Sequence, residues 1–309
     1  MSIPKSLLGK TKLNITKLSL GAALRSRDTK RPIDLSEPEA NNLFNTLLDN
    51  GINFIDTSPD YANSETLIGK SISHRRNEFY IATKCGCPIT QDQSKHVWDS
   101  KQIEKNITQS LSKLKTDYID LLQLHNPPIR ECIDGYLLET LLKLKEKGLT
   151  RFIGISTTLP DIKSYINWND FDTFQIPYST LDRKHEDWIA TCERRGFGTI
   201  IRGGVALGES EKKLLKSNIL IKSIEEKSAI NSWKVYEEAN LDELRDPDDT
   251  PTGFLLRFAI SNPNIHTTIV GTTNIQHLKE NIKAVAKGPL QPDIYQNIID
   301  LTKTLVKNE

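Results

Sequence analysis

The sequence predicts a (β/α)8 barrel, an α/β fold of eight parallel strands in which each strand is followed by at least one helix. Two features of the 309-residue chain indicate this fold. Short apolar runs alternate with amphipathic helical segments, and eight such pairs follow one another. The strands are near-continuous apolar runs, typical of strands buried on both faces of a parallel sheet. We therefore expect one barrel domain over 1–309, with a long insertion after strand seven and an extra C-terminal helix.

The first half of the chain contains four predicted strands, at 17–22, 53–57, 79–84 and 118–124. Ser36, followed three residues later by Glu39, has the spacing of a capping box and predicts the start of the first helix. The apolar face of that helix consists of Leu43, Phe44, Leu47 and Leu48. Further helices are predicted near 64–73, 100–115 and 134–147.

The second half continues the alternation, with strands at 152–156, 173–178, 198–202 and 267–270. Helices are predicted near 160–167, 185–195, 251–261, 274–286 and 292–306. The charged segment 209–250 interrupts the pattern, and a connection this long usually carries function or has structure of its own. It either contacts a ligand at the rim of the barrel or forms a solvated helical insertion. An open doubly wound sheet is the alternative fold, but its Gly-x-Gly-x-x-Gly fingerprint does not follow the first strand.

The composition narrows the classes of function. Lys and Arg number 41 against 40 Asp and Glu, and this balance argues against a nucleic-acid-binding face or a polybasic membrane anchor. No apolar run approaches the ~18 residues of a membrane span, and the chain opens without an apolar signal region. Four cysteines do not make a disulfide framework. We expect a cytoplasmic enzyme that acts on a small molecule, without nucleic-acid or membrane partners.

The sequence predicts no metal site. The six histidines show neither His-x-x-x-His nor His-Glu-x-x-His spacing. In Cys85-Gly86-Cys87 the cysteines are closer together than in the Cys-x-x-Cys motif of zinc and redox sites.

Ionisable side chains stand at the carboxyl ends of successive predicted strands, where the chemistry of such a barrel takes place. Asp56 ends the second strand, with Tyr61 five residues later, and Lys84 and His125 end the next two. A phenol has a pKa of about 10, and an ammonium ~4 Å away stabilises the phenolate by ~4 kcal/mol, or ~3 pK units, before burial opposes it. A carboxylate keeps that ammonium charged, and a histidine donates to a carbonyl oxygen. This set suits the protonation of an oxyanion during hydride transfer between a carbonyl and an alcohol.

A second group of residues suggests a cofactor site. Ser156, Gln175 and Arg202 lie at or near the ends of strands five, six and seven. After the last strand, Gly271-Thr272-Thr273-Asn274 leads into a helix, and a helix N-terminus favours anions. Thr273 and Gln276 have capping-box spacing there. Elsewhere, Trp98 is either a pocket wall or a packed loop anchor.

Five stretches of the chain together resemble the aldo-keto reductase superfamily. They are NFIDTSPDYANSETLIGK (53–70), FYIATKCG (79–86), YIDLLQLHNP (118–127), FIGIST (152–157) and IVGTTNIQHLKEN (269–281). The resemblance implies a TIM barrel and NADPH-dependent carbonyl reduction with tyrosine as the acid. It places the catalytic tetrad on Asp56, Tyr61, Lys84 and His125.

The resemblance also assigns the cofactor-binding residues. It implies that Ser156 and Gln175 hold the nicotinamide carboxamide and that part of 209–250 closes over the cofactor. At the adenosine end it implies Thr272, Glu280 and Asn281.

Four positions differ from the best-known family pattern. Thr157 stands where Asn often binds the carboxamide, and Arg202 where many members stack a tyrosine on the nicotinamide. Gly271 and His277 align with basic residues that often pair with the 2′-phosphate. NADP(H) is the expected cofactor, and NAD(H) is the alternative because of these last two residues.

Two alternative functions are compatible with the same candidate site residues. Lys84 in a barrel is also a candidate Schiff-base nucleophile of a carbon–carbon lyase. A cofactor-bound module that senses redox state and docks on a partner is the third possibility. Substrate recognition stays open: Arg25, Arg27 and Arg31 either bind an acidic substrate or lie in a solvated loop.

Overall fold

The computed structural model describes residues 2–23, 35–88, 95–205 and 235–305. Eight of the described strands are parallel and close into a barrel, which confirms the predicted fold class. In barrel order they are β3 (Leu18–Gly21), β4 (Phe54–Asp56), β5 (Tyr80–Cys85), β6 (Ile119–His125), β7 (Thr150–Ser156), β8 (Thr173–Pro177), β9 (Gly198–Arg202) and β10 (Thr267–Val270). The barrel closes where β10 pairs with β3.

An antiparallel hairpin precedes the barrel and covers its amino-terminal end. It consists of β1 (Lys5–Leu7), a 3₁₀ turn at Gly9–Thr11, and β2 (Asn14–Thr16). Its apolar side chains are buried with the inward-facing residues of the barrel strands: Leu8, Leu13 and Ile15 pack with Phe54, Ala82, Leu121 and Ile200. Gly9 has φ +47°, and a Cβ there would lie 2.3 Å from the backbone nitrogen of Gly198, so the close packing requires glycine.

Helices surround the strands and bury the predicted apolar faces. Their bounds are α1 (Glu37–Asp49), α2 (Ser64–Ile72), α3 (Ser100–Leu114), α4 (Ile129–Asp134), α5 (Leu137–Glu146), α6 (Ile162–Trp168), α7 (Glu186–Arg194), α8 (Pro251–Ser261), α9 (Ile275–Ala286) and α10 (Pro292–Thr302). The capping box predicted for α1 is present, with Ser36 and Glu39 bonded to each other's backbone nitrogens. The extra C-terminal helix, α10, is present and ends at Thr302, four residues earlier than predicted.

The helix predicted over 134–147 is α5, which begins three residues later than predicted, at Leu137. Gly135 and Tyr136 separate it from the short helix α4, which was not predicted. Tyr136 has φ +50°, a left-handed conformation that ends the α-helical ladder. A Cβ on Gly135 would lie 2.3 Å from the Trp98 carbonyl oxygen, so the break lets a neighbouring loop approach the chain.

The strand register places the ends of the barrel strands at one level. Asp56 on β4 pairs with Ala82 on β5, and His125 on β6 pairs with Ser156 on β7. Ser156 pairs in turn with Gln175 on β8. Polar side chains from different strands therefore meet at the carboxyl end of the barrel.

Parts of two predicted regions lie outside the described residues. They are 24–34, with its three arginines, and 206–234 of the charged insertion. The described remainder of the insertion contains Tyr236, whose hydroxyl donates to Asp242 at 2.7 Å. Among the described residues, no helix is long and apolar enough for a membrane span.

Candidate active site

A buried ion pair lies at the centre of the site. The Lys84 Nζ donates to Asp56 Oδ1 at 2.5 Å and to the Thr57 carbonyl oxygen at 2.9 Å. Both charged side chains are fully buried. Burial opposes the charge on the ammonium, but Asp56 and Tyr61 outweigh it and raise the pKa of Lys84 above its ordinary value. Lys84 is therefore a permanent cation in the folded protein.

Two glutamines hold the other oxygen of Asp56. The side-chain nitrogens of Gln123 and Gln175 each donate to Asp56 Oδ2 at 2.8 Å. The cofactor contact of Gln175 stays a prediction, and its side-chain nitrogen bonds to Asp56. Gln123 was not predicted, because it lies within its strand and not at the end. Its signal in the sequence is a polar residue within the apolar run of β6.

Tyr61 lies against the lysine. The Lys84 Nζ is 4.8 Å from the centroid of the Tyr61 ring, and the ring meets His125 edge-on, with centroids 6.2 Å apart. Burial is the largest influence on the phenol and raises its pKa, while the Lys84 ammonium lowers it by less. The phenol therefore carries its proton at neutral pH, which a proton donor requires.

His125 is a neutral imidazole. Burial, and then the Lys84 charge, lower its pKa to about 3. Its Nδ1 lies 3.3 Å from Cys87 Sγ and 3.3 Å from His96 Nε2. A neutral imidazole has one N–H donor and one acceptor nitrogen, so His125 can donate to an oxygen without competing with Tyr61 as an acid.

His96 lies near the site and was not singled out in the sequence, and Cys87 was considered only as part of Cys85-Gly86-Cys87. Trp98 stacks on His96 with centroids 5.2 Å apart and 11° between the planes. Trp98 also covers Gly86, where a Cβ would lie 1.9 Å from the indole ring. The predicted Trp98 is thus packed on the loop after β5 and is separated from His125 by one aromatic ring. No short spacing connects His96 with His125, so sequence patterns could not have joined them.

The residues predicted for the nicotinamide lie next to the four catalytic candidates. Ser156 and Thr157 are buried at the end of β7, and Ser156 stands in register with both His125 and Gln175. Arg202 ends β9, and its positive charge contributes to the lowered pKa of His125. These side chains therefore share one end of the barrel.

The residues predicted for the adenosine end follow β10. Thr272 Oγ1 accepts from the backbone nitrogen of Asn274 at 3.1 Å. Asn274, not Thr273, caps α9, since its side chain accepts from the Gln276 backbone nitrogen at 2.8 Å. The shorter Asx geometry starts the helix one residue later than the capping-box spacing indicated.

The other predicted residues of this end differ in exposure. Gly271 and His277 are exposed, and Asn281 is buried. Glu280 is half-buried and accepts from the Gln276 side chain at 2.9 Å. Since β10 pairs with β9, this group begins beside the strand that ends in Arg202.

Comparison with known proteins identifies the family. YqkF, an uncharacterized oxidoreductase of Bacillus subtilis, is 30% identical over 293 residues, covering 91% of this chain and 90% of that protein. The L-galactose dehydrogenase of Arabidopsis thaliana is 28% identical over 251 residues, or 77% and 75% of the two chains. The holo form of the aldo-keto reductase AKR11C1 from Bacillus halodurans superposes with a TM-score of 0.80 at 27% identity, covering 99% of this chain and 97% of that one. The family model described as Aldo/keto reductase family matches residues 17–302, and the chain belongs to this family of oxidoreductases, which use NAD(P)H.

Proposed function

We propose that the protein interconverts an aldehyde or ketone and the corresponding alcohol, with Tyr61 as the proton donor to the carbonyl oxygen. The observation that carries the proposal is the fully buried Lys84 ammonium, bonded to Asp56 and 4.8 Å from the Tyr61 ring. When Tyr61 loses its proton, the phenolate is stabilised by the Lys84 ammonium, which is already charged and is buried away from water. Such preorganised charge is the main means by which enzymes stabilise a developing anion.

The steps of reduction follow from these groups. When bound, NAD(P)H would supply the hydride that the carbonyl carbon accepts, and the electron pair of the carbonyl bond would move to oxygen. Tyr61 transfers its proton to that oxygen, and Lys84 stabilises the phenolate that remains. Asp56 keeps Lys84 charged and in place, and neutral His125 donates a hydrogen bond that orients the carbonyl. Alcohol oxidation is the same path in reverse.

The buried polar groups at the carboxyl end suit the cofactor. Ser156, Thr157 and Gln175 are each no more than 2% exposed, and hydroxyl and amide groups of this kind match a carboxamide. The Gln175 side-chain nitrogen is engaged with Asp56, so its oxygen would accept from the carboxamide N–H. Arg202 offers a planar cation for stacking beside the nicotinamide.

The adenosine end of the proposed cofactor site uses the start of α9. Thr272, Glu280 and Asn281 would contact the adenosine, with the helix N-terminus favouring the phosphate. NADP(H) is the proposed cofactor, with NAD(H) as the alternative, because Gly271 and His277 supply no permanent cation. Fluorescence titration with NADPH and with NADH distinguishes the two: quenching by NADPH alone supports NADP(H), and equal quenching by both contradicts a preference.

The Schiff-base alternative is disfavoured by the charge on Lys84. A nucleophilic lysine needs a lowered pKa, whereas the pKa of Lys84 is raised and its ammonium is held by a carboxylate. Borohydride reduction in the presence of a carbonyl ligand should therefore leave Lys84 unmodified. A covalent adduct on this residue would support the lyase.

Replacing Tyr61 by Phe tests the acid. We expect turnover of a carbonyl panel to fall by about 10²–10⁴-fold while the cofactor still binds, since only the transferred proton is removed. Tyr136→Phe, at an exposed position, is the control and should keep full turnover. Wild-type rates in Tyr61→Phe would refute the assignment, and tight cofactor binding without turnover in the wild type would favour the redox-sensing module.

We also propose that the protein acts in the cytoplasm on a small molecule. All four cysteines are buried free thiols, which supports a reducing compartment.

A further inference from the structure

Four potential metal ligands meet beside the proposed catalytic residues. They come from three segments: Asp60 from the loop after β4, Cys87 and His96 from the loop after β5, and His125 from the end of β6. Their ligand atoms all lie within 4.8 Å of one another. The sequence predicted no metal site because we looked for short spacings, and these positions have none.

The distances in this cluster match a tetrahedral zinc site. His125 Nδ1 lies 3.3 Å from Cys87 Sγ, 3.3 Å from His96 Nε2 and 3.5 Å from Asp60 Oδ2, and the last oxygen is 3.7 Å from His96 Nε2. Zinc bonds of ~2.3 Å to sulfur, and ~2.0–2.1 Å to nitrogen and oxygen, give tetrahedral edges of ~3.3–3.6 Å. Four of the six edges of such a tetrahedron are thus close to the lengths that zinc requires, and all four ligand atoms lie within 4.8 Å of one another.

We propose that Asp60, Cys87, His96 and His125 form a zinc-binding site. Its ligands would be Cys87 Sγ, His96 Nε2, His125 Nδ1 and Asp60 Oδ2. This is a one-sulfur, two-nitrogen, one-oxygen set of the kind that zinc accepts.

Neighbouring groups hold three of the ligands in position. The Ser58 hydroxyl bonds to Asp60 Oδ1 and lies 3.3 Å from Cys87 Sγ. The Asn106 side-chain oxygen accepts from the backbone nitrogen of Cys87 at 3.1 Å, and its nitrogen donates to the Cys87 carbonyl at 3.1 Å. Trp98 fixes the plane of His96 by stacking. Outer groups of this kind orient metal ligands and strengthen binding.

The charges of the set balance those of the ion. Asp60 and the Cys87 thiolate together carry two negative charges against Zn²⁺, while the charge of nearby Lys84 is already paired with Asp56. Cysteine binds zinc as the thiolate, so the metal displaces the thiol proton of Cys87. Binding therefore forms the zinc–sulfur bond and releases one proton to the solvent.

The site has a consequence for the proposed reduction, and this consequence rests on the proposed function. Zinc bound at Nδ1 fixes the position of His125, whose ring is in edge contact with the Tyr61 ring. We expect Zn²⁺ to lower turnover reversibly, with a chelator restoring it.

Direct binding tests the site independently of activity. Chelator-treated protein is titrated with Zn²⁺ against a chromophoric chelator, and separately with Co²⁺ to observe the sulfur-to-cobalt charge-transfer band and the intense d–d bands of tetrahedral coordination. We expect one equivalent of Zn²⁺ in the wild type. Affinity should fall by at least about tenfold in Cys87→Ser and in His96→Gln, and the charge-transfer band should vanish in Cys87→Ser.

Matched controls are available. Cys132→Ser changes a buried thiol on α4, and His74→Gln changes an exposed histidine after α2, so both should bind zinc as the wild type does. No bound zinc in the wild type, or unchanged affinity in both cluster variants, would overturn the site. One bound equivalent without any loss of turnover would overturn the inhibition while leaving the site intact.

Discussion

At the amino-terminal end of the barrel strands, Leu8, Leu13 and Ile15 fill the interior with apolar side chains, whereas the carboxyl end buries Asp56 and Lys84. Both ends are equally removed from water, but they are held together differently. Apolar packing stabilises in proportion to the area buried, while a buried ion pair roughly repays its own desolvation. The comparison shows that burial at the amino-terminal end contributes packing energy, whereas burial of charge at the carboxyl end, where the proposed site lies, carries a desolvation cost.

Breaking the ion pair should have the largest effect. Asp56→Asn leaves the Lys84 ammonium buried without a carboxylate, so we expect the free energy of unfolding to fall by about 3–5 kcal/mol. Turnover should also be lost, because the group that holds Lys84 is gone. Urea denaturation and steady-state kinetics measure the two effects.

A double variant sharpens this result. Asp56→Asn combined with Lys84→Met removes the uncompensated charge, so stability should recover most of its loss while turnover stays absent. If the double variant is as unstable as Asp56→Asn, the cost does not come from the buried cation.

A substitution at the amino-terminal end of the barrel should change the stability of the protein and leave its turnover unchanged. Leu8 is fully buried, and Leu8→Ala removes packing inside the barrel, with an expected loss of about 2–5 kcal/mol. Turnover per folded molecule should match the wild type, since the hairpin lies at the other end from the proposed site. A fall in turnover at constant folded fraction would show that the two ends are coupled.

A smaller effect is expected from Gln123→Met. It removes one of two amide donors to Asp56, and a hydrogen bond to a charged group contributes about 1.5–3 kcal/mol. We expect a stability loss in this range with a partial loss of turnover, because Gln175 still holds Asp56. Urea denaturation and kcat report the two effects, and a Gln123→Met protein with both unchanged would contradict the positioning role.

The smallest effect concerns pH. Burial, as the largest cause, lowers the pKa of His125 to about 3 and that of His266 to about 4, both below the ordinary value of 6.5. Above pH 6.5 these residues are neutral in both states; below it the unfolded chain binds protons that the folded one does not, so stability falls as pH drops toward these values. The urea concentration at the unfolding midpoint should therefore decrease as the pH is lowered from 6.5 to 5.

A substitution of His266 measures how much the amino-terminal end of the barrel contributes to this pH dependence of stability. Its Nδ1 accepts from the Thr199 backbone nitrogen at 3.1 Å, near the start of β9. His266→Gln should make the decrease in stability between pH 6.5 and pH 5 smaller than in the wild type. An equal slope in the wild type and His266→Gln would contradict the assignment.

The barrel and the grouping of the four catalytic candidates were predictable because parallel strands bring their ends to one rim. The continuous apolar runs of β5 and β6 located Lys84 and His125 at that rim without any knowledge of side-chain geometry. Their catalytic roles, and one domain over 1–309, stay predictions. The hairpin at the amino-terminal end of the barrel was not predicted, because its two three-residue strands are too short to show an alternation of apolar and polar residues.

Contacts between segments that are distant in the chain could not be predicted from the sequence, for a different reason. The Trp98 carbonyl lies close to Gly135, between α4 and α5, and this contact comes from a loop that the local apolar pattern does not contain. His96 and His125 are brought together only by the closed fold. Gln123 had a local signal, but its partner Asp56 is 67 residues away.

The hydrogen bond between Gln175 and Asp56 joins β8 to β4, which stand four places apart in the ring of eight strands. It therefore crosses the interior of the barrel, whose width at that level is set by the number and stagger of the strands. We expect a substrate to lie above this hydrogen bond. The depth of the pocket is thereby limited from beneath, and differences in substrate size must be accommodated by the loops above the strand ends.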